Sequence, residues 1–342
     1  ATEVVKRPIE TVLSGPAASL MGARWLSGEN NFVMTDMGGT TTDFGVLLNG
    51  RPKVVDEGAD IGGWRTMVKA VDVKTIGLGG DSEVTVDHKG AIQIGPQRVL
   101  PLSLLCSRYP EAIALLRSDM ADAERYGSMH GQFVLLPFEA KAQGIPADPT
   151  IGHKEAELLR RVTASPQALR HLVDSVTTHR MLIALGKKGL IQWAAVTPSD
   201  AAHVLGLQAN WSVEGAHLGL QLLCRLNDMA HPSGQRTHDF AHAIWSETVR
   251  LSSRLILECA AGCSMVGNPL AEAQCAGDSA FANVALNLSL NLPVVAVGGP
   301  AAVYYPEVGR RLRCQVVFAP HHEVASAVGA ATGNVARQTQ VV

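Results

Sequence analysis

Apolar residues follow two rhythms along the chain. In the first hundred residues, short apolar runs alternate with glycine-rich turns. Phe32-Val33-Met34-Thr35 runs into Asp36, and Phe44-Gly45-Val46-Leu47-Leu48 follows after a polar loop. Each run is too short for a helix and predicts a strand. Asn49-Gly50, a pair that accepts positive φ at both central positions of a turn, predicts a tight hairpin into a third strand at Lys53-Val54-Val55. Ahead of them, Gly15-Pro16 places proline at a helix start, and Ala17, Ala18 and Gly22 leave that helix a face nearly bare of side chains.

From about Arg108 to Ala276 the spacing is that of helices. Trp211, Leu218, Leu222, Leu226 and Met229 fall on one face, and Phe240, Ile244, Leu251, Leu255 and Cys259 on another. Asp148-Pro149 and His231-Pro232-Ser233-Gly234 are breaks. Leu190 to Val196 is a candidate buried strand, with Thr197-Pro198-Ser199-Asp200 capping the helix after it. Further on, Pro293 to Val297 is an unbroken apolar run, as in a strand covered on both faces. Gly298-Gly299-Pro300 turns it into a helix through Arg311, with Pro300 at the first helical position; a strand at Val316 to Phe318 and a helix from His321 to Ala331 close the chain. The order predicts an α/β fold: a connecting helix in 1–29, an α/β domain built from 30–105 and 276–342, and a mainly helical insertion at 106–275.

Composition narrows the class. The 342 residues are 46% hydrophobic and 18% charged, enough for a sizeable core. Lys and Arg total 29 against 31 Asp and Glu, a net charge of −2, and no basic run suggests nucleic acid or a lipid surface. No apolar run approaches the ~20 residues of a bilayer span. Ala1 to Glu10 carries charge and a proline instead of a leader's apolar core. The six cysteines form no C-x-x-C pair, the usage expected of a cytoplasmic chain. The start at Ala1, with a helix pattern almost at once, predicts a piece of a longer polypeptide or removal of something upstream.

The strongest chemical signal is the loop Asp36-Met37-Gly38-Gly39-Thr40-Thr41-Thr42-Asp43. Glycines at a strand end let main-chain N–H groups converge on an anion, and Thr40, Thr41 and Thr42 add hydroxyl donors. Asp36 would repel a bare phosphate, so Asp36 or Asp43 implies Mg²⁺ held through water. The loop lacks the lysine of a Walker A motif and does not open a helix. Gly298-Gly299-Pro300 either allows close packing or leaves a flat surface for a base. Gly77-Leu78-Gly79-Gly80-Asp81-Ser82 is either a strand bulge or a close approach to substrate or phosphate. Gly62-Gly63-Trp64-Arg65 offers an arginine for a carboxylate or phosphate, or a solvated one. His238 and His242 have i, i+4 spacing without the zincin glutamate, and His321-His322-Glu323 sits at a helix start. No G-x-S-x-G elbow or catalytic base stands out.

These residues resemble the actin–hexokinase–heat-shock chaperone ATPase superfamily. The 36–43 loop is similar to its second phosphate loop, Ser14-Gly15-Pro16-Ala17-Ala18 to its first connecting helix, Gly298-Gly299-Pro300 to its adenosine loop, and Val328-Gly329-Ala330-Ala331 to its second connecting helix. Within it, Glu10 to Ala18, Asp36 to Asp43 and Asp72 to Gly80 resemble the hydantoinase/oxoprolinase A family. The resemblance implies an actin-like ATPase domain using ATP and Mg²⁺ to phosphorylate a carbonyl or enol oxygen. Cyclic amides (hydantoin, 5-oxoproline, lactams) are the expected substrates, a ketone carboxylase subunit is an alternative, and a non-catalytic nucleotide-sensing or assembly module is another. Gly79 and Gly80 join the expected nucleotide site. The family's other Asp–Gly–Gly–Thr loop does not occur here, so the chain resembles the family's C-terminal half. A missing N-terminal actin-like domain and a hydantoinase B-type subunit are the expected partners.

Overall fold

The computed structural model describes residues 14–55, 58, 60–61, 64–65, 70–122, 129–138, 150–227 and 234–332. Two compact units emerge, one from Ala1–Gly79 with Glu247–Val342, the other from Gly80–Ser246. These limits differ from the change of rhythm read near residues 105 and 276. The helix Gly234–Ala261 runs through the second crossing without interruption.

In the first unit a mixed six-stranded sheet runs in the order Val316–Val317, Val294–Val297, Phe32–Met37 (β1), Thr42–Leu48 (β2) and Arg51–Pro52, with Val73–Ile76 also paired to β2. The first three strands are parallel, and β2 is antiparallel to β1 and to its outer partners. All of Val294–Val297 is buried, as its apolar run predicts. Asn49 and Gly50 have φ of 53° and 70°, the backbone of the expected hairpin turn. The expected third strand is divided: Arg51–Pro52 pairs with β2, while Val54–Val55 pairs with Ala70–Val71.

Register decides where strand ends meet. Val297 lies beside Asp36, Asp36 opposite Asp43, and Thr42 opposite Ile76. The turn leaving Val297, the β1–β2 loop and the chain leaving Ile76 therefore emerge at one edge of the sheet. The helix Ala301–Leu312 follows that edge, and Pro300 is its N-cap instead of its first turn. The closing segment is a 3-10 turn, His322–Val324, continued by Ala325–Thr332.

The first helix, Ser14–Ser27 (α1), packs on Ala325–Thr332 through its small residues. A Cβ on Gly22 would lie 1.9 Å from the Ala325 carbonyl oxygen, and one on Gly329 1.8 Å from that of Ala18. Main chain touches main chain there, which only glycine permits. Leu20, Phe32, Met34, Leu47, Val295 and Val297 fill the space between this helix and the sheet.

The second unit contains a sheet of its own, ordered Leu100–Pro101, Gln192–Ala195, Phe133–Leu135, Gln167–Ala168, and a hairpin, Ser82–Val86 with Ile92–Arg98. Gln192–Ala195 is the strand expected within Leu190 to Val196, while Phe133–Leu135 and Gln167–Ala168 are too short for a periodicity to register and lie in a stretch that reads as helical. Thr197 caps Pro198–Val204 as expected, in a capping box with Asp200. The Asp200 carboxylate also accepts the N–H groups of Leu102 and Ser103, so it closes the N-termini of two helices from full burial. Trp211 lies before the helix Val213–Leu226 and stacks on His203 with ring centroids 5.3 Å apart. In Gly234–Ala261, Phe240, Ile244 and Leu255 are buried, while Leu251 and Cys259 are half-buried. Met229, Asp148-Pro149 and most of the 231–234 break lie outside the described residues. Among those described, no helix is long and apolar enough to cross a membrane.

Candidate functional site

Residues 38–41 form a tight turn closed by the Gly38 N–H donating to the Thr41 carbonyl at 2.9 Å. Two distant glycines press on this turn. A Cβ on Gly79 would lie 2.3 Å from the Gly39 carbonyl oxygen. Gly298, with φ of +94°, would place one 2.1 Å from the Met37 carbonyl oxygen and 2.9 Å from Asp36 Oδ1. Three glycine clusters that are far apart in sequence thus share one piece of backbone, and the strand register brings them there. Gly299 is exposed with open space where a Cβ would point, and Pro300 is half-buried beside it. The N–H of Gly298 is itself occupied, donating to the His322 carbonyl at 3.0 Å.

Not every expected donor is available. Thr42 is fully buried and its hydroxyl donates to the Leu78 carbonyl at 2.5 Å, tying the loop to the 77–79 turn. Strand alternation puts it on the face of Phe44 and Val46. The hydroxyls of Thr40 and Thr41, and the N–H groups of Gly39 and Thr40, make no hydrogen bond among the described residues. Gly80 belongs to the second unit, where its carbonyl accepts the Ser199 N–H at 3.0 Å.

Asp36 and Asp43 face each other across β1 and β2. Ser19, from α1, donates to Asp36 Oδ2 at 2.5 Å, and Thr75 donates to Asp43 Oδ1 at 2.6 Å. Ser19 does not stand out in the sequence, whereas Thr75 lies just ahead of the Gly77–Ser82 cluster, in the 72–80 stretch. Each carboxylate keeps one oxygen without a partner among the described residues, a donor set that fits a hydrated divalent cation. No cluster of three or more His, Cys, Asp or Glu occurs among the described residues to cage a metal directly. Burial holds both carboxyls above their ordinary value, and the Asp36 charge adds to the rise at Asp43. Behind them the buried Tyr305 hydroxyl bonds Thr35 Oγ1, joining Ala301–Leu312 to β1.

The raised carboxyls set the sign of a pH effect. Both bind protons more tightly folded than unfolded, so stability declines as pH climbs above 3.8 through the folded values. Asp43→Asn is expected to raise the melting midpoint at neutral pH and to flatten this decline. Thermal melts across a pH series check it, and a lower neutral midpoint for the variant would contradict the pairing.

Other candidates separate from this site. Trp64–Arg65 forms a short hairpin with Asp60–Ile61, and Gly62-Gly63 lies outside the described residues. Asp72 is paired with Lys53 at 2.8 Å. His238 and His242 are exposed on their helix.

Residues 1–104 match the family described as Hydantoinase/oxoprolinase. The resemblance carried by the 10–18, 36–43 and 72–80 stretches therefore holds over the part of the chain that contains them. Caprolactamase subunit alpha of Pseudomonas jessenii is 30% identical over 95 residues, which are 27% of this chain and 14% of that subunit. The nucleotide-free structure of acetone carboxylase, from work on ATP-dependent acetone carboxylation, aligns with 93% of this chain at 15% identity and a TM-score of 0.52. That likeness shows the mixed α/β fold, and it covers 31% of the acetone carboxylase chain. A solved ATP-dependent caprolactamase from Pseudomonas jessenii is 16% identical over 92% of this chain and 31% of its own, with a TM-score of 0.43. The chain spans less than a third of each of these proteins.

Proposed function

We propose that the first unit is an actin-like nucleotide-binding domain whose 36–43 loop holds the phosphate tail of Mg-ATP. In this reading it is part of an enzyme that activates a cyclic amide, such as hydantoin, 5-oxoproline or a lactam, for ring opening. The convergence of Gly79 and Gly298 on Met37–Gly39 carries the reading, because three glycine clusters far apart in the chain meet there at main-chain contact. Thr40, Thr41 and the N–H groups of Gly39 and Thr40 would bind phosphate oxygens. Asp36 and Asp43 would hold Mg²⁺ through water, and the open surface at Gly299-Pro300 would take the adenosine.

Bound ATP would supply a phosphoryl group that turns the amide oxygen into a leaving group. The chain's own part is to fix the phosphate tail and neutralise its charge. A further actin-like domain and a hydantoinase B-type partner would supply the rest of the cleft and the hydrolytic step. The ATP dependence of acetone carboxylation agrees with this reading.

Calorimetric titration of Mg-ATP into the protein tests the site. Asp36→Ala is expected to weaken binding at least ~10-fold, about 1.4 kcal/mol, by removing the carboxylate that holds the hydrated cation. Unchanged affinity would move the nucleotide elsewhere. Phosphate release stimulated by a cyclic amide alone supports ring opening, whereas release that requires bicarbonate and a ketone points to a carboxylase subunit. Nucleotide bound and never cleaved marks a sensing or assembly module.

A further inference from the structure

The second unit contains an open hollow of about 280 Å³ lined from several regular elements. Glu83 comes from the strand Ser82–Val86, Val99 follows the strand Ile92–Arg98, and Gln132 precedes Phe133–Leu135. His179 and Ile183 come from the helix Val176–Lys187, and Trp193 from the strand Gln192–Ala195. A second hollow of about 180 Å³ shares Glu83 and Gln132 with it, so these two side chains stand where the hollows meet.

The framework is tightly fixed. Val84 donates its N–H to the Val196 carbonyl at 2.9 Å, Val99 to Asp81 at 2.9 Å, and Leu169 to the carbonyl of Gln132 at 2.9 Å. Trp193 pairs with Val134 in the sheet. Its indole lies against the helix at Gly186, where a Cβ would come within 2.6 Å of the ring nitrogen. His179 meets the indole edge-on, with ring centroids 6.0 Å apart.

Of the polar lining, Gln97 donates to the Arg98 carbonyl at 3.2 Å, and three other groups are unused. The Glu83 carboxyl has no hydrogen bond or ion pair, and neither do the Gln132 carboxamide and the His179 imidazole. Half-buried polar side chains usually find partners within the protein or in water. Three of them around one cavity, with Val99, Ile183 and an indole for walls, match the lining expected for a small ligand.

We propose that this cavity binds a small neutral molecule with an amide-type edge, Glu83 and Gln132 bonding its carbonyl and N–H while Trp193 packs on its apolar part. The chemistry of the lining selects a neutral ligand. One carboxyl is present with no second anion, and the carboxamides of Gln97 and Gln132 and an imidazole each carry donor and acceptor atoms. Burial also raises the Glu83 pKa, which favours the protonated acid that can donate to a carbonyl. A cationic amine, by contrast, would need the acid ionised in a desolvated place.

The test needs no nucleotide, so its outcome is independent of the role of the 36–43 loop. Ligand-observed saturation-transfer NMR on the whole chain uses δ-valerolactam as the neutral probe and piperidinium as a cation of similar size. The lactam is expected to bind and piperidinium not to. Glu83→Gln, which still donates, should keep lactam binding, while Glu83→Ala should weaken it at least ~10-fold. If Glu83→Ala fails to fold, Ile183→Trp, at a helix position already exposed, should exclude the probe by filling the cavity. Binding of piperidinium in preference to the lactam, absence of lactam binding, or lactam binding untouched by both substitutions overturns the assignment.

Discussion

Gly298→Ala is expected to lower the melting midpoint of the first unit by about 10 °C, from roughly 3–4 kcal/mol of lost stability, and to abolish Mg-ATP binding. Two costs add. Holding a residue with a side chain at φ of +94° costs ~1–2 kcal/mol. The methyl would also sit 2.1 Å from the Met37 carbonyl oxygen and 2.8 Å from its carbon, main chain that cannot swing aside as a side-chain end can. Overpacking of this kind costs typically ~1–3 kcal/mol. Gly299→Ala is the matched control, since its Cβ meets nothing within 4 Å. It should melt like the parent and lose only the affinity that a flat adenosine surface contributes. Calorimetry and circular dichroism on the two variants give the comparison. Equal midpoints would mean that the contact at Met37 does not shape the loop.

Asp200→Ala should have a comparable effect on the second unit by a different route. Its buried carboxylate accepts N–H groups from Leu102, Ser103 and Thr197, at 3.1, 2.7 and 2.9 Å, and the Thr197 hydroxyl at 2.9 Å. Removing a helix cap costs ~1 kcal/mol. Leaving buried donors unsatisfied costs ~1–3 kcal/mol each. A total near 4 kcal/mol corresponds to a midpoint lowered by about 10 °C for a unit of this size. Asp200→Asn should recover only part of the loss, because its NH₂ replaces an acceptor with a donor. A melt within about 2 °C of the parent, under 1 kcal/mol, would show that water replaces the carboxylate.

What could be read from the sequence was local. The 36–43 loop between two strands, the Asn49-Gly50 hairpin, the buried run at 294–297 and the Thr197 cap each declare themselves within a few residues. Partners brought together by the sheet do not. Ser19 is an ordinary helix hydroxyl until packing sets it beside Asp36, and Thr75 marks only the start of the 77–82 cluster until register sets it beside Asp43. Gly79 and Gly80 look equivalent in the chain, yet one presses on Gly39 while the other accepts a bond from Ser199. For Thr42 a signal was present: two-residue alternation aligns it with Phe44 and Val46, away from the loop's outer side. Of the second sheet, Gln192–Ala195 lies in the run expected as a buried strand, while strands as short as Phe133–Leu135 and Gln167–Ala168 carry no periodicity of their own. Trp211, which is apolar at a helical spacing, imitates the helix that it only precedes.

The crossing of the two glycine-bearing helices has a consequence for how that joint behaves over time. Interlocked side chains hold most helix pairs like teeth, and sliding one past the other requires many rotamers to change together. At Gly22 and Gly329 there are no teeth. Little rotamer entropy is frozen and few torsions resist, so small rotations of one rod upon the other should be cheap while their spacing stays fixed.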